Sequence, residues 1–451
     1  MHNDNQPSAL PIIFLGILFE ITLTGVASWL TILFPLLLVA GHVAADIGLC
    51  IIGLLFLVHS WLTRDWRWCR NLWVVLFALL WLYMIVRGLF AEQPKEALKH
   101  ALPFVRYAIF AAALAYWTLR NPRTRQRFFT ALAVVMVFLA ADGLLQWITG
   151  SDIFRRQGVA IPYYGLRLTG SFNKPILGIM LVWLFFPACM QFVLNAHGAI
   201  RRKGGLVAGV LAIALINAVV VLSGERAAWM LMVLGWCIMA FLLPLRKRHV
   251  LGVGVAILLL FAALLAANSK LYERHVHSTI EVFSHWQQSP YGLLLASDLR
   301  IAGEHPFLGV GTGHFRIACP QLFPEKSLVE QSACVNRRQN FYLECLSPCS
   351  THPHNIYLEW LIENGVIGLG LFLLMIAAVA KECVCCWPEM KRDPHFAGLA
   401  VGLILHLWPF VPSTSFLSAW GSPPFWLVWG ALLAYTAAIK TPHKLGDDLH
   451  D

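Results

Sequence analysis

Long apolar runs alternate with short polar connections along the whole chain. "GLCIIGLLFLVHSWL" (48–62) and "LWVVLFALLWLYMIV" (72–86) are typical. Roughly 20 apolar residues carry a helix across the hydrocarbon of a bilayer. On that measure the runs predict about 12 spans. They lie near 10–41, 43–62, 72–91, 101–119, 127–147, 175–196, 206–222, 226–245, 249–267, 356–382, 396–413 and 424–440. The first run is long for one straight crossing and contains Glu20. Counting it as one crossing puts both termini in the cytoplasm. The opening "MHNDNQPSAL" lacks the basic region and cleavage site of a signal peptide. The expected fold class is an all-α, polytopic integral membrane protein. Helices 1–9 fall within residues 1–267, a large external loop holding short helices covers 268–355, and helices 10–12 with a cytoplasmic tail fill 356–451.

Composition agrees with lipid as the solvent. Of the 451 residues 58% are hydrophobic and 13% charged, and mean hydropathy is +0.66. A soluble chain of this size could not cover so much apolar surface. The basic residues then orient the spans. Arg64, Arg67 and Arg70 form one cluster, and Arg120, Arg123, Arg125 and Arg127 a second. Arg201, Arg202 and Lys203, then Arg246, Lys247 and Arg248, then Lys391 and Arg392, follow on alternate connections. The positive-inside rule places these loops in the cytoplasm. Most of the net charge of +10 is therefore topological, and no nucleic-acid motif accompanies it. The external 148–174 loop breaks the rule with Arg155, Arg156, Arg167 and Lys174, which suits an anionic substrate.

Cys319, Cys334, Cys345 and Cys349 all fall in the last third of the large external loop. Four cysteines outside the cytoplasm read as two disulfides, with three possible connectivities. Cys345, Cys349, His352 and His354 are close enough in sequence to raise a zinc site, but their spacing fits no common template.

Polar chemistry collects at the external helix ends. "SGERAAWM" (223–230) is a very short turn with Glu225 and Arg226 at a helix start. The plain alternative for Arg226 is a side chain snorkelling to the interface. "SDLRIAGEHPFLGVGTGHF" (297–315) reads as a short helix bearing Arg300, a proline turn and a glycine-rich loop. Gly309, Gly311 and Gly313 allow close backbone approach to something. No Lys-Ser/Thr follows them, so the loop is not a P-loop. "THPHNIYLEWLIENGVIGLG" (351–370) places His352 and His354 before Asn355, a plausible N-cap, and then turns apolar. Glu359 and Glu363 share one helix face. Simple capping at the interface is the plain alternative for the histidines.

Taken together, "GERAAW", "LRIAGEHPFLGVGTGHF" and "HPHNIYLEWLIENGVIGLG" resemble the shared core of the O-antigen ligases and the related O-antigen polymerases. "RLTGSFNKPILG" (167–178) is similar to a further stretch of that family, so the resemblance covers about residues 165–375. The most specific element is His354-Asn355 followed, after nine residues, by Gly365-x-x-Gly368. Met230, where many ligases have Leu, departs from the pattern.

The resemblance implies a GT-C-like membrane glycosyltransferase of the bacterial inner membrane, with its active site on the periplasmic side. Such enzymes move O-antigen from undecaprenyl diphosphate to the lipid A–core oligosaccharide, without metal or other cofactor. Arg226 and Arg300 match the family's two essential arginines, and His354 its essential histidine. His352, Asn355, Arg167, Lys174, Glu225 and Tyr357 are the candidate substrate-binding residues beside them. The residue types suit that chemistry on their own. A diphosphate leaving group needs charge neutralisation, which arginine forks supply. A sugar hydroxyl needs a base, and a near-neutral histidine can accept its proton. No DxD-type motif marks an external metal site. A single displacement would invert the anomeric carbon.

An O-antigen polymerase and a protein O-oligosaccharyltransferase are the nearest alternatives within the family. A membrane transporter is the alternative of another class. It should show internal repeats and midplane polar residues in broken helices, and the chain shows neither pattern.

Overall fold

The computed structural model describes residues 10–161, 165–199, 203–244, 247–323 and 349–440. Arg201, Arg202 and Arg246 of the basic clusters, and Cys334 and Cys345, lie outside the described residues. In chain order the helices begin with α1 (Leu10–Ala40), α2 (His42–Thr63), α3 (Leu72–Leu89), α4 (Pro94–Ala101), α5 (Val105–Tyr116) and α6 (Pro122–Thr149). A β-hairpin, β1 (Val159–Ile161) and β2 (Gly165–Arg167), follows. Then come α7 (Leu177–Ala199), α8 (Lys203–Leu222), α9 (Arg226–Leu242) and α10 (Lys247–Ala267). The polar loop contributes α11 (Ser269–Tyr272), α12 (Ser278–Ser284), α13 (Pro290–Glu304) and α14 (Phe315–Leu322). The last elements are α15 (Ile356–Cys385), α16 (Trp387–Arg392), α17 (Pro394–His406) and α18 (Ser422–Lys440).

Seven of these stretches are long and apolar enough to cross a membrane: Glu20–Ala40, His42–Thr63, Leu72–Leu89, Pro94–Arg120, Pro122–Thr149, Ile356–Cys385 and Ser422–Lys440. The segments expected at 175–196, 206–222, 226–245 and 396–413 contain shorter apolar helical stretches, Leu177–Phe192, Val207–Leu222, Arg226–Leu242 and Pro394–His406. The segment expected at 249–267 ends at a bend of 116°, beyond which Ser269–Ser284 runs in a new direction. Each expected span thus contains helix, though the one at 396–413 leaves it after His406, and only seven stretches meet full crossing length on their own among the described residues. The first run, despite its length, is one continuous helix. The structure is all-α apart from one small element. Part of the 148–174 loop forms the antiparallel hairpin, pairing Val159 with Arg167 and Ile161 with Gly165.

Local chemistry sets several helix starts. Asn121, Ser289 and Asp393 each precede a proline at the first helical position and accept hydrogen bonds from first-turn amides. Proline loses nothing there, because that amide has no partner inside the helix. The core is built by pairing α5 with α18, α7 with α17, and α3 with α15. In α5 the run Ala111–Ala115 is fully buried. A Cβ at Gly430 of α18 would lie 2.8 Å from the Ala111 carbonyl oxygen, so the two helices touch backbone to backbone. Phe104, Trp360, Phe416 and Trp426 form an aromatic cluster where α5, α15 and α18 converge.

The connections sort to two ends of the bundle. Arg67, Arg120, Glu382 and Lys440 share one cavity at one end. The 223–226 turn, the glycine-rich loop, the histidine turn and the 407–416 segment meet at the other.

Candidate active site

The histidine motif opens a half-helix. Asn355 Oδ1 accepts hydrogen bonds from Tyr357 N (2.9 Å) and Leu358 N (3.2 Å), so Asn355 is the N-cap. Its Nδ2 donates to Pro409 O at 2.7 Å. Ten residues on, Gly365 has φ 64° and ψ −173°, and the helix breaks there. Ile356–Asn364 is therefore a separate short helix above the remainder of α15.

The break explains the glycine-rich loop. Val310 N donates to Ile362 O and Gly311 N to Glu363 O, both at 2.9 Å, and Val366 N donates to Pro306 O at 2.9 Å. These bonds satisfy carbonyls and an amide that the interrupted helix leaves open, as non-helical backbone at a membrane requires. The loop approaches so closely that a Cβ on Gly309 would lie 2.5 Å from Asn364 N. The close partner of Gly309 is thus the broken helix itself, whereas a Cβ on Gly311 or Gly313 would meet Ala91 or His100. Thr312 Oγ1 donates to Asn364 Oδ1 (2.9 Å), and Gly313 N donates to the Glu363 carboxylate (2.7 Å). From α3, Tyr83 donates to Asn364 O at 2.8 Å, and Arg87 to the carbonyls of Leu308 and Gly309.

Glu359 and Glu363 share one face, and both are buried. Glu359 binds the Ser415 hydroxyl and Phe416 N. Each carboxylate thus fastens one loop to the half-helix. Tyr357 donates its hydroxyl to Leu407 O at 2.6 Å.

The histidine turn packs onto this frame. Ser413 N donates to His354 O at 2.8 Å. His354 Nε2 lies 3.2 Å from Ser350 Oγ, and His352 Nδ1 lies 3.1 Å from Thr351 Oγ1. The two imidazoles are 4.5 Å apart between centroids. Burial pushes the His354 pKa below its ordinary value, opposed in part by a hydrogen bond to the Ser413 backbone. His352 is pushed down to about 4, mainly by burial and then by His354, with Arg316 and Lys174 adding to it. In both rings burial favours the neutral form. A disulfide, Cys319–Cys349, ties α14 to the start of the turn with 5.6 Å between Cα atoms. It commits the Cys349 sulfur, which the zinc arrangement would have needed.

The two arginines sit on neighbouring elements. Arg226 Nη1 donates to Ser278 O and Ser278 Oγ, each at 2.9 Å, and its guanidinium lies 5.8 Å from the Tyr291 ring. Tyr291 stands in the first turn of α13, and Arg300 lies nine residues along the same helix. Arg300 pairs loosely with Glu304 (3.8 Å), lies over Phe323 at 5.3 Å and is 60% exposed. Phe323 and Cys349 both pack against the small buried cluster of Ile301, Val310, Phe315 and Cys319. A continuous path of contacts thus joins Arg226, α13, Arg300 and the histidine turn. Among the described residues neither arginine hydrogen-bonds His354.

Residues 209–373 match the model of a protein family described as O-Antigen ligase (Wzy_C). Over that stretch the chain is similar to the O-antigen ligase family. The family match runs from α8 to the upper half of α15 and contains Arg226, Arg300, His352 and His354. It also contains the glycine-rich loop, the helix break and the disulfide. Arg167 and Lys174 lie before it. A comparison with curated proteins returns no match.

Around the O-antigen ligase core, the remaining candidates take up distinct positions. Arg167 donates to Pro175 O at 3.1 Å and lies against Gly224, while Leu168 N donates to Ser223 O. Lys174 is exposed within electrostatic range of His352. Glu225 is turned inward. Its carboxylate accepts from Gly178 N (2.8 Å) and Ile179 N (3.3 Å), capping α7. Burial pushes its pKa up to about 7, opposed by Arg167 and the two amides. Glu225, Asn355 and Tyr357, all candidate substrate ligands from sequence, are engaged in holding the frame.

The family core also holds residues that sequence reasoning misses. Arg316, exposed at the start of α14, acts electrostatically on His352, Glu359 and Glu363. The signal is present, since Arg316 directly follows the "GTGHF" of the glycine-rich loop. Asp298 is buried on α13, two residues before Arg300, and burial alone pushes its carboxyl up to about 7. No spacing rule singles it out.

Proposed function

We propose that this chain is an O-antigen ligase. It transfers O-antigen polysaccharide from undecaprenyl diphosphate to a sugar hydroxyl of the lipid A–core oligosaccharide, at the periplasmic face of a bacterial inner membrane crossed about 12 times. The observation that carries the reading is a half-buried His354 at a helix start, beside His352 and with the cationic side chains of Arg316 and Lys174 near the same turn. A lipid-linked donor keeps its tail in the bilayer and its glycan in water. Its diphosphate is therefore confined to the interface where this turn lies.

In the reaction His354 accepts the proton of the acceptor hydroxyl as the new C–O bond forms at the anomeric carbon. The bond from that carbon to the diphosphate oxygen breaks, and the electron pair leaves with the diphosphate. Arg226 and Arg300 neutralise the leaving group, Arg226 as a fork already oriented by Ser278. Arg167, Lys174, His352 and Arg316 supply further positive or polar contacts for phosphate and sugar. The attack is a single displacement with inversion, and the charge neutralisation a metal would supply is assigned to arginines.

The test is a deletion strain read by lipopolysaccharide gel. Rough lipopolysaccharide together with accumulated carrier-linked polymer is the expected outcome. Core bearing a single repeat means a polymerase, and intact lipopolysaccharide with an unglycosylated protein means a protein O-oligosaccharyltransferase. In the same strain His354→Ala, expressed at normal level, should leave the phenotype uncorrected. A general base contributes ~10²–10⁴-fold, and full correction by the alanine variant would remove His354 from the mechanism.

A further inference from the structure

A cavity of about 520 Å³ lies at the end of the bundle remote from the histidine turn. Eighteen residues of α15 separate Asn364 from Glu382, which lines it. At 1.5 Å per residue that is roughly 27 Å. Its volume falls in the ~300–1,000 Å³ range of small-molecule sites. Nothing in the proposed transfer uses it.

Its lining is divided by chemistry. Trp68, Trp73 and Tyr116 supply aromatic wall. Their polar atoms are already engaged: Trp73 Nε1 donates to the Tyr116 hydroxyl at 2.8 Å, and Trp68 Nε1 to Ser60 Oγ at 3.1 Å. The rings therefore present apolar surface. The charged part holds Arg67, Arg120 and Lys440 against Asp65 and Glu382. Arg67 pairs with Asp65 at 2.7 Å and Lys440 pairs with Glu382. Among the described residues the lining holds these three cations against two carboxylates, a net positive charge, and Arg64 and Arg70 in the same connection add to the field. Exposed apolar side chains adjoin it: Leu72 lines the cavity and is 56% exposed, and Trp61 and Trp66, in the chain beside it, are 70% and 44% exposed. Tryptophans so placed mark the membrane interface.

We propose that this cavity binds the headgroup of an anionic phospholipid. The phosphate lies among Arg67, Arg120 and Lys440, and the first acyl carbons lie against Trp68, Trp73 and Leu72. A basic pocket between helices at one membrane face is suited to such a headgroup. A water-soluble phosphate ester offers the same charge, but leaves the aromatic wall and the exposed Leu72 without a partner.

The test uses the full-length protein in detergent, with equimolar dioleoylphosphatidylglycerol and dioleoylphosphatidylcholine, followed by native mass spectrometry. Preferential retention of phosphatidylglycerol is expected. Arg67→Glu combined with Arg120→Glu should lower that retention about tenfold or more, whereas Arg300→Ala at the other end should leave it unchanged. A large excess of glycerophosphoglycerol, the headgroup without acyl chains, should fail to displace the lipid. Because charge reversal can damage folding, the wild-type melting temperature is also compared in nanodiscs of the two lipids. A higher value in phosphatidylglycerol is expected. Equal retention of both lipids, equal melting temperatures, displacement by the soluble headgroup, or loss on Arg300→Ala instead of the double variant would each overturn the assignment.

Discussion

A methyl group at Gly365 tests whether the broken helix and the glycine-rich loop are one unit. Its φ 64° and ψ −173° fall in a region that is essentially restricted to glycine. Any other residue held there is strained by ~1–3 kcal/mol. A Cβ would also lie 2.1 Å from Phe307 O and 2.6 Å from Leu308 N, backbone atoms that no rotamer change can move. Relief requires the 306–311 strip to withdraw. That endangers the three backbone bonds Val366–Pro306, Val310–Ile362 and Gly311–Glu363. At ~0.5–1.5 kcal/mol each, with the strain added, Gly365→Ala should cost roughly 3–7 kcal/mol. That approaches the ~5–15 kcal/mol of a whole folded chain. Gly370, on the same helix, has open space around it, and a methyl group there would meet no atom within 4 Å. Gly370→Ala should be neutral, or stabilising by up to ~1 kcal/mol. The assay is thermal melting of the purified proteins in detergent, with lipopolysaccharide gels of complemented cells. If Gly365→Ala melts with the wild type and restores the same gel pattern, the interlock carries none of the weight given to it.

Arg226→Lys keeps charge but loses the fork that Ser278 orients, so transfer should fall strongly in vitro; normal transfer would favour simple snorkelling. Glu225→Gln retains an acceptor for the α7 amides and should melt near the wild type. Glu225→Ala loses the cap and should cost ~0.5–2 kcal/mol, and an alanine variant as stable as the glutamine one would refute the capping role. Burial holds His354 below its ordinary value of 6.5. Its active neutral form is therefore lost only as pH falls through that lowered pKa, and kcat/KM should be flat from about pH 7 to 8; a profile still rising above pH 8 points to another base. Peptide mapping of unreduced protein should recover Cys319 joined to Cys349, and free thiols at both positions would exclude that crosslink.

Much of the helical frame is legible in the sequence because apolar runs and caps are local signals. Asn355 is readable as an N-cap, since its type and its place before an apolar run suffice. What local patterns cannot supply is the identity of distant partners. The glycines at 309, 311 and 313 announce a close approach, but the partner, residues 362–366, stands about 50 residues away. Glu225 reads as a substrate ligand because a carboxylate beside a conspicuous arginine invites that role. Its actual partners, Gly178 and Ile179, are 46–47 residues earlier. The hairpin at 159–167 escapes detection because three-residue strands are too short for a periodicity to register. The candidate site is more legible than its individual roles. Its motifs do meet at one end of the bundle, yet several of the polar residues that look like ligands hold the scaffold instead.

The interlock also sets rules for recombination. Residues 306–313 and 356–366 exchange backbone hydrogen bonds, and Arg87 on α3 grips the Leu308 and Gly309 carbonyls from more than 200 residues away. A crossover placed in the intervening loop would look harmless on a linear map, but would join a strip from one parent to a half-helix from the other. Chimaeras meant to exchange acceptor preference should therefore inherit both segments, with the C-terminal half of α3, from the same parent. The unit of inheritance is a three-part clasp scattered along the chain.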